Sequence, residues 1–178
     1  MLQSQTLIET LGWYNRKVNA AMAEVLAPHR ELLEEPGTTY FGSILDLLSH
    51  VLLSDLRWLR RIGAAESETT RPNAGPAVLD LEFTSLSDRP FTGFDEWKRH
   101  REELDEFIEA YTAALGAEGL ANDITYSRSD GSRFTQPLWQ MLLHMFNHET
   151  HHRGQLAQVL DDRGVQNDFS NLIHYLRE

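Results

Sequence analysis

The stretch LLHMFNHETHHRGQLAQVL, residues 142–160, carries most of the information about the fold. Its apolar residues recur at the three- and four-residue spacing of an amphipathic helix. Within it, the run from His148 to His152 fits the H-E-x-x-H pattern of zinc proteases, in which the glutamate is the general base. The stretch therefore predicts a histidine-bearing helix, and it leaves open which residues would complete a metal site.

A helical wheel at ~100° per residue separates the histidines of this helix into two groups. The apolar arc consists of Leu138, Met141, Leu142, Met145, Leu156, Val159 and Leu160. His148 and His152 fall inside that arc, His144 lies at its edge, and His151 points outward. Burying two imidazoles without partners would cost roughly a few kcal/mol each. A shared metal ion would satisfy both nitrogens, so we interpret His148 and His152 as metal ligands.

The protease interpretation lacks a third ligand. That motif continues with a glycine and a further histidine, or with a later glutamate. Here Gln155 and Gln158 occupy the two positions, and the only glutamate after Glu149 is the final residue, Glu178. Upstream, His50 lies on the flank of the apolar face of another predicted helix, so we expect it to be the third ligand.

Two carboxylates, Asp55 and Glu149, also project towards the apolar sides of their helices. Asp55 is either a buried carboxylate bonded to the backbone or an arginine, or a group near the metal. Glu149 either orients a metal ligand or a metal-bound water, or is simply paired in the core. They are the candidate catalytic residues. The remaining histidines are expected to have structural or solvent roles: His29, His100, His151 and His174.

The spacing along the whole chain predicts one all-α domain over residues 1–178, a four-helix bundle. The predicted long helices run from about Ser4 to Leu26, Phe41 to Ile62, Phe94 to Leu115, and Pro137 to just before Gly164, with a short fifth helix from Asn171 to Leu176. The connection 63–91 predicts a long crossover between helices two and three. Alternation around Asp130 and Gly131 predicts a small, tight β-hairpin before helix four.

The composition argues against some classes of function and limits the residue types that could bind a metal. The chain has 16 Lys and Arg against 27 Asp and Glu, and its net charge of −11 argues against nucleic-acid binding. The absence of cysteine leaves His, Asp and Glu as the strong metal ligands. The first residues do not read as a signal peptide, and no apolar run approaches the ~18 residues of a membrane span. We therefore expect a soluble, cytoplasmic protein that binds no membrane.

Four segments together resemble the DinB-like metal-binding family. They are LSHVLLSDLRWLRR (48–61), SDGSRFT (129–135), LLHMFNHETHHRGQLAQVL (142–160) and DFSNLIHYLRE (168–178). The resemblance spans nearly the whole chain and implies a bundle of up-down-down-up order, often dimeric, with a three-His site for a divalent metal. By position the ligands would be His50, His148 and His152. The family name reflects damage-inducible expression and implies no DNA binding.

Better-understood members of that family conjugate or isomerise substrates with low-molecular-weight thiols such as bacillithiol or mycothiol. The resemblance thus implies a metal-dependent thiol S-transferase acting on a small molecule, as a homodimer. Zinc or nickel is the expected ion, with iron and manganese also compatible. Two alternatives stay open: a hydrolase that uses metal-bound water, with Glu149 or Asp55 as the base, and a non-enzymatic metal-binding or stress-response bundle.

Overall fold

The computed structural model describes residues 2–37, 39–64, 75–128 and 130–177. They form a mostly helical structure with one small hairpin. In chain order the elements are α1 (Leu2–Leu26), α2 (Arg30–Leu33), α3 (Ile44–Gly63), a 3₁₀ turn (Ala77–Asp80), α4 (Phe94–Ala114), α5 (Ala117–Ala121), β1 (Asp123–Ser127), β2 (Arg133–Pro137), α6 (Leu138–Asp161) and α7 (Leu172–Tyr175).

The four long helices and the short C-terminal helix occur where the sequence predicts them. The largest difference is the start of α3, which begins at Ile44 rather than at Phe41. Gly42 has a φ of 119°, which is outside the helical region. Ser43 then forms a capping box with Asp46, each side chain accepting a hydrogen bond from the other residue's backbone N–H. The short helices α2 and α5 were not predicted.

The four long helices pack around an apolar core. α1 contacts α4 and α6, and α3 contacts α6 and α4. Leu52, Leu104 and Leu142 are among the fully buried side chains at these contacts. The up-down-down-up order implied by the resemblance, in which α3 and α4 would lie parallel, stays a prediction. Residues 65–74 of the crossover lie outside the described residues. None of the described helices is long and apolar enough to cross a membrane.

The predicted hairpin is confirmed, but its turn is longer than the tight turn expected at Asp130 and Gly131. The last paired residues are Ser127 and Arg133, so residues 128–132 form the loop. The Asp130 side chain accepts a hydrogen bond from the Ser132 backbone at 2.9 Å, and Gly131 has a φ of 82°. A bond from an aspartate side chain to the backbone two residues further on stabilises a turn within a loop that is longer than two residues.

A buried polar network joins the four long helices. Its members are Asn15 and Asn19 from α1, Asp55 from α3, Arg101 and Asp105 from α4, and Glu149 and Arg153 from α6. Each side chain is at most 6% exposed, so no solvent compensates their charges. Such groups are tolerated in a core only when they are paired and hydrogen-bonded.

Arg101 is the centre of this network. It donates to Asp55 and to Asp105, both at 2.7 Å, and its Nη1 lies 3.6 Å from Glu149. Burial and the nearby Glu149 carboxylate raise the pKa of Asp55 well above its usual range. Burial also raises the pKa of Asp105 to about 7. The network's three carboxylates face only the guanidinium groups of Arg101 and Arg153, and two of them, Asp55 and Asp105, hold their protons more readily than free ones.

Arg101→Met should therefore destabilise the protein by about 3–5 kcal/mol, because it leaves buried carboxylates without their counter-charge. Urea unfolding at neutral pH measures the change. Arg99→Met is the matched control, since Arg99 is an exposed neighbour whose contact with Glu96 is a surface pair at 3.5 Å. Its effect should stay within about 0.5 kcal/mol. Equal midpoints for the two variants would contradict the central role of Arg101.

Candidate metal centre

The structure brings His50, His148 and His152 together. His50 comes from α3, and the other two lie one turn apart on α6. The Nε2 atom of His148 lies 3.2 Å from that of His50 and 2.9 Å from that of His152. The three candidate ligand atoms all lie within 4.8 Å of one another. The helices thus aim three imidazole nitrogens at one point.

Hydrogen bonds on the far side of two rings fix which nitrogen carries the proton. His50 Nδ1 lies 3.3 Å from the carbonyl oxygen of Leu86, and His152 Nδ1 lies 2.7 Å from Gln155 Oε1. An oxygen of either kind accepts, so both Nδ1 atoms donate and both Nε2 atoms present a lone pair. Both lone pairs face His148 Nε2, which has at most one hydrogen to offer.

A divalent metal ion resolves this mismatch. Around a tetrahedral ion with bonds of about 2.0–2.1 Å, nitrogen ligands stand roughly 3.3 Å apart. The two measured separations at His148, 3.2 and 2.9 Å, are close to that value. The donor set therefore fits a metal ion, and the outer bonds to Leu86 and Gln155 are of the kind that orients metal-binding histidines.

Electrostatics favours the neutral, ligating form of all three rings. Burial, followed by the neighbouring His152, His50 and His144, lowers the pKa of His148 to about 4. Burial is also the main cause that lowers the pKa values of His50 and His152. Lone pairs on the three rings consequently stay available in mildly acidic solution.

Aromatic side chains frame the site. Phe41 stacks on the His50 ring at 4.2 Å between centroids and meets His152 edge-on at 5.5 Å. On the other side, Trp58 contacts the ring of His144 at 5.1 Å, and His144 lies 6.4 Å from His148. Phe41 thus packs directly against two of the ligands, Trp58 reaches the site only through His144, and His50 and His148 stay partly accessible.

The sequence model of the DinB family matches residues 1–177, which is almost the entire chain. The chain belongs to the DinB family. Comparison with curated proteins and with solved structures gave no match. The family resemblance read from the sequence is therefore confirmed over the full length, and the histidine cluster is a feature of a DinB-family protein.

Within this DinB-family chain, the other candidate residues are not part of the three-His cluster. His144 and His151 are exposed, and neither belongs to the group that could hold an ion. Glu149 faces away from the histidines: its carboxylate accepts from Asn15 at 2.8 Å and from Arg153 at 3.0 Å. Asp55 pairs with Arg101. A catalytic role for either carboxylate stays a prediction.

Several residues that build the site were missed by the sequence reasoning. Gln155 follows His152 by three positions, which places it one helical turn away, and this spacing could have suggested its role. Arg101 lies in a charged run, but it follows Trp97 by four residues and precedes Leu104 by three, so a wheel places it on the inner face. No local signal pointed to Phe41 or Leu86, which reach the site through the tertiary fold.

Replacing any one of His50, His148 or His152 with alanine should remove most of the bound metal, because two imidazoles hold an ion far less tightly than three. His151→Ala is the matched control and should retain it. Elemental analysis of protein purified without a polyhistidine tag measures the content, since a tag column can itself load nickel. Loss of metal on His151→Ala, with retention on His50→Ala, would contradict this assignment.

The metal affinity should change little in mild acid. Three histidines of ordinary pKa, near 6.5, would lose roughly 50-fold in affinity between about pH 7.5 and pH 6.0, because protons compete for each ring. The pKa of His148 is about 4 and those of His50 and His152 are lowered, so protons compete less and we expect a loss well below roughly 50-fold. Competition titrations with a chromogenic chelator measure the metal affinity at each pH. A loss of roughly 50-fold would contradict the lowered pKa values of the three histidines.

Proposed function

We propose that this DinB-family protein is a metal-dependent thiol S-transferase that joins a low-molecular-weight thiol to a small electrophilic substrate. His50, His148 and His152 would hold the ion, with zinc or nickel as the expected metal. The homodimer and the cytoplasmic location expected from the sequence belong to the same proposal. The observation that carries it is the cluster of three neutral imidazoles in a protein of this family.

The charge of the ligand set supports an anionic co-ligand. Three neutral imidazoles leave the double positive charge of the ion uncompensated, and no carboxylate belongs to the cluster among the described residues. An ion held in this way keeps at least one coordination position open and lowers the pKa of a thiol bound there. This arrangement suits thiol chemistry without a protein cysteine, which the chain lacks.

The protein's own residues hold and shield the site. Leu86 and Gln155 orient two of the rings through their Nδ1 atoms, and Phe41 covers one side of His50 and His152. The carboxylate of Glu149 is engaged with Asn15, Asn19 and Arg153. Because it is bonded elsewhere, we assign it to positioning α6 rather than to proton transfer.

The proposed step is a substitution at carbon. With a chromogenic aryl chloride as the test electrophile, the thiol sulfur forms a bond to the ring carbon. The carbon–chlorine bond breaks, chloride leaves with its electron pair, and the thiol proton passes to solvent. No oxidant or reductant is required.

The metal-loaded protein should accelerate this conjugation with at least one of the common bacterial thiols, bacillithiol and mycothiol among them. His148→Ala should reduce the rate by about tenfold or more, since a free thiol with a pKa near 8.5 is only about 3% thiolate at pH 7. His151→Ala should keep it. Absorbance of the aryl thioether follows the reaction.

Three outcomes separate the proposal from its alternatives. Absence of conjugation with every thiol tested would contradict it. Hydrolysis of esters or amides without thiol would indicate the metal-dependent hydrolase, with Glu149 or Asp55 as the base to test. Lack of any turnover, together with a large fall in melting temperature on chelation, would indicate an ion whose role is to stabilise the fold.

A further inference from the structure

A cleft beside the metal centre concentrates positive charge. Arg57, Arg60 and Arg61 reach it from α3, and Arg133 reaches it from β2. The cleft has a volume of about 570 Å³, which is within the range of small-molecule sites. The whole chain carries a net charge of −11, so four arginines around one concavity do not follow from the composition.

Among the described residues, three of these arginines lack close counter-charges, whereas Arg60 is attracted by Asp80. In the part of the chain that the structure describes, no carboxylate oxygen lies within 4.0 Å of a guanidinium nitrogen of Arg57, Arg61 or Arg133. Asp88 influences Arg57 only through a longer-range attraction. Arg60 differs from the other three arginines because its guanidinium donates hydrogen bonds to the backbone oxygens of Leu79 and Leu81. It thereby anchors one wall of the cleft.

The arginines also repel one another. Burial is the main cause that lowers the pKa of Arg61, and the charges of Arg57 and Arg128 lower it further. The pKa of Arg60 is lowered by burial and by Arg57 as well. A protein keeps like charges this close at an energetic cost, which a bound anion would offset.

Aromatic rings hold the guanidinium groups in place. Arg61 lies over the ring of Trp58 at 4.7 Å and over that of Tyr126 at 5.2 Å. Arg57 lies 5.7 Å from the centre of the Phe83 ring. Stacking of this kind restrains the planar group while its N–H edge remains free to donate, which is the arrangement that suits carboxylate and phosphate oxygens.

The cleft adjoins the metal centre through two elements. Arg57 follows His50 by seven residues on α3, so the two lie on the same side of the helix and about 10.5 Å apart along its axis. Phe83 and Thr84 line the cleft, and Leu86, two residues further, contacts His50. The charge of Arg57 contributes to lowering the pKa of His50.

We propose that this arginine cleft binds the anionic end, a carboxylate or a phosphate, of a small molecule whose other end reaches the three-His centre. The assignment of that molecule as a substrate or thiol cosubstrate rests on the proposed function, whereas the anion site itself does not. The concave shape and the acidic remainder of the surface favour a small anion over a nucleic acid.

The anion site can be tested on metal-free protein. Calorimetric titrations at low ionic strength with succinate and with inorganic phosphate should detect binding of at least one of them, and the preferred anion identifies the group. Arg57→Gln and Arg61→Gln should each weaken binding by at least about tenfold, as expected for a lost charged contact. Arg99→Gln, which removes the same charge outside the cleft, should leave it unchanged.

Three results would overturn the anion site. The first is that neither anion binds. The second is equal weakening by Arg57→Gln and Arg99→Gln, which would attribute the effect to net charge alone. The third is tighter, cleft-dependent binding of a single-stranded oligonucleotide, which would identify a polyanion surface. Melting temperatures of the variants establish that each is folded.

To test whether one molecule can reach both the arginine cleft and the metal centre, the probe must carry both a thiol and an anionic group. In metal-loaded protein, ω-mercaptooctanoate should bind at least tenfold more tightly than ω-mercaptooctanol, which has the same thiol and chain but no charge. Arg57→Gln should remove this difference. Equal affinities in the unaltered protein would overturn the connection. Lack of thiol conjugation, with anion binding intact, would instead contradict the proposed function alone.

Discussion

The buried network around Arg101 is the constraint on which the rest of the structure depends. Charged groups in a core must meet their partners at hydrogen-bond distance, because an unpaired one costs several kcal/mol. Arg101 meets Asp55 of α3 and Asp105 of its own helix, while Glu149 of α6 meets Asn15 and Asn19 of α1. Apolar packing tolerates small rotations of a helix, but these short bonds do not. The network therefore fixes how the four long helices are turned towards one another.

The metal centre is built on that same fixed geometry. Glu149 and Arg153 each follow one of the histidine ligands, His148 and His152, by a single position. When the network holds Glu149 and Arg153 inward, the two histidines emerge on the adjacent side of α6, facing α3. Asp55 fixes α3 in the same way and directs His50 towards them. The carboxylate within the H-E-x-x-H run thus has a structural explanation that does not require proteolysis.

The arginines of this acidic protein fall into two groups, one buried and paired in the core and one arranged around an open cleft. Arg101 and Arg153 are buried and paired with carboxylates, so they serve the fold. Arg57, Arg61 and Arg133 lie around an open cleft without close partners among the described residues, so they are available to a ligand. A three-His metal centre next to a cationic cleft would suit a molecule that carries a reactive group at one end and an anionic group at the other. The anion-binding Arg57 and the metal ligand His50 would then lie about two helical turns apart along α3.

The sequence by itself determined the four long helices and the short C-terminal one, because apolar spacing and breakers such as Gly164 are local signals. It also determined the pair His148 and His152, since residues four apart necessarily share a face, and family resemblance together with helical-face placement gave His50. Only the tertiary structure decided which polar groups meet across helices. Distant segments supply Asp55 for Arg101 and the two asparagines of α1 for Glu149. They also supply the backbone oxygen of Leu86 for His50 and the ring of Phe41 beside His152. Such contacts produce no periodic pattern in the sequence. They depend on how each helix is rotated about its axis, and the packing of the whole core sets that rotation.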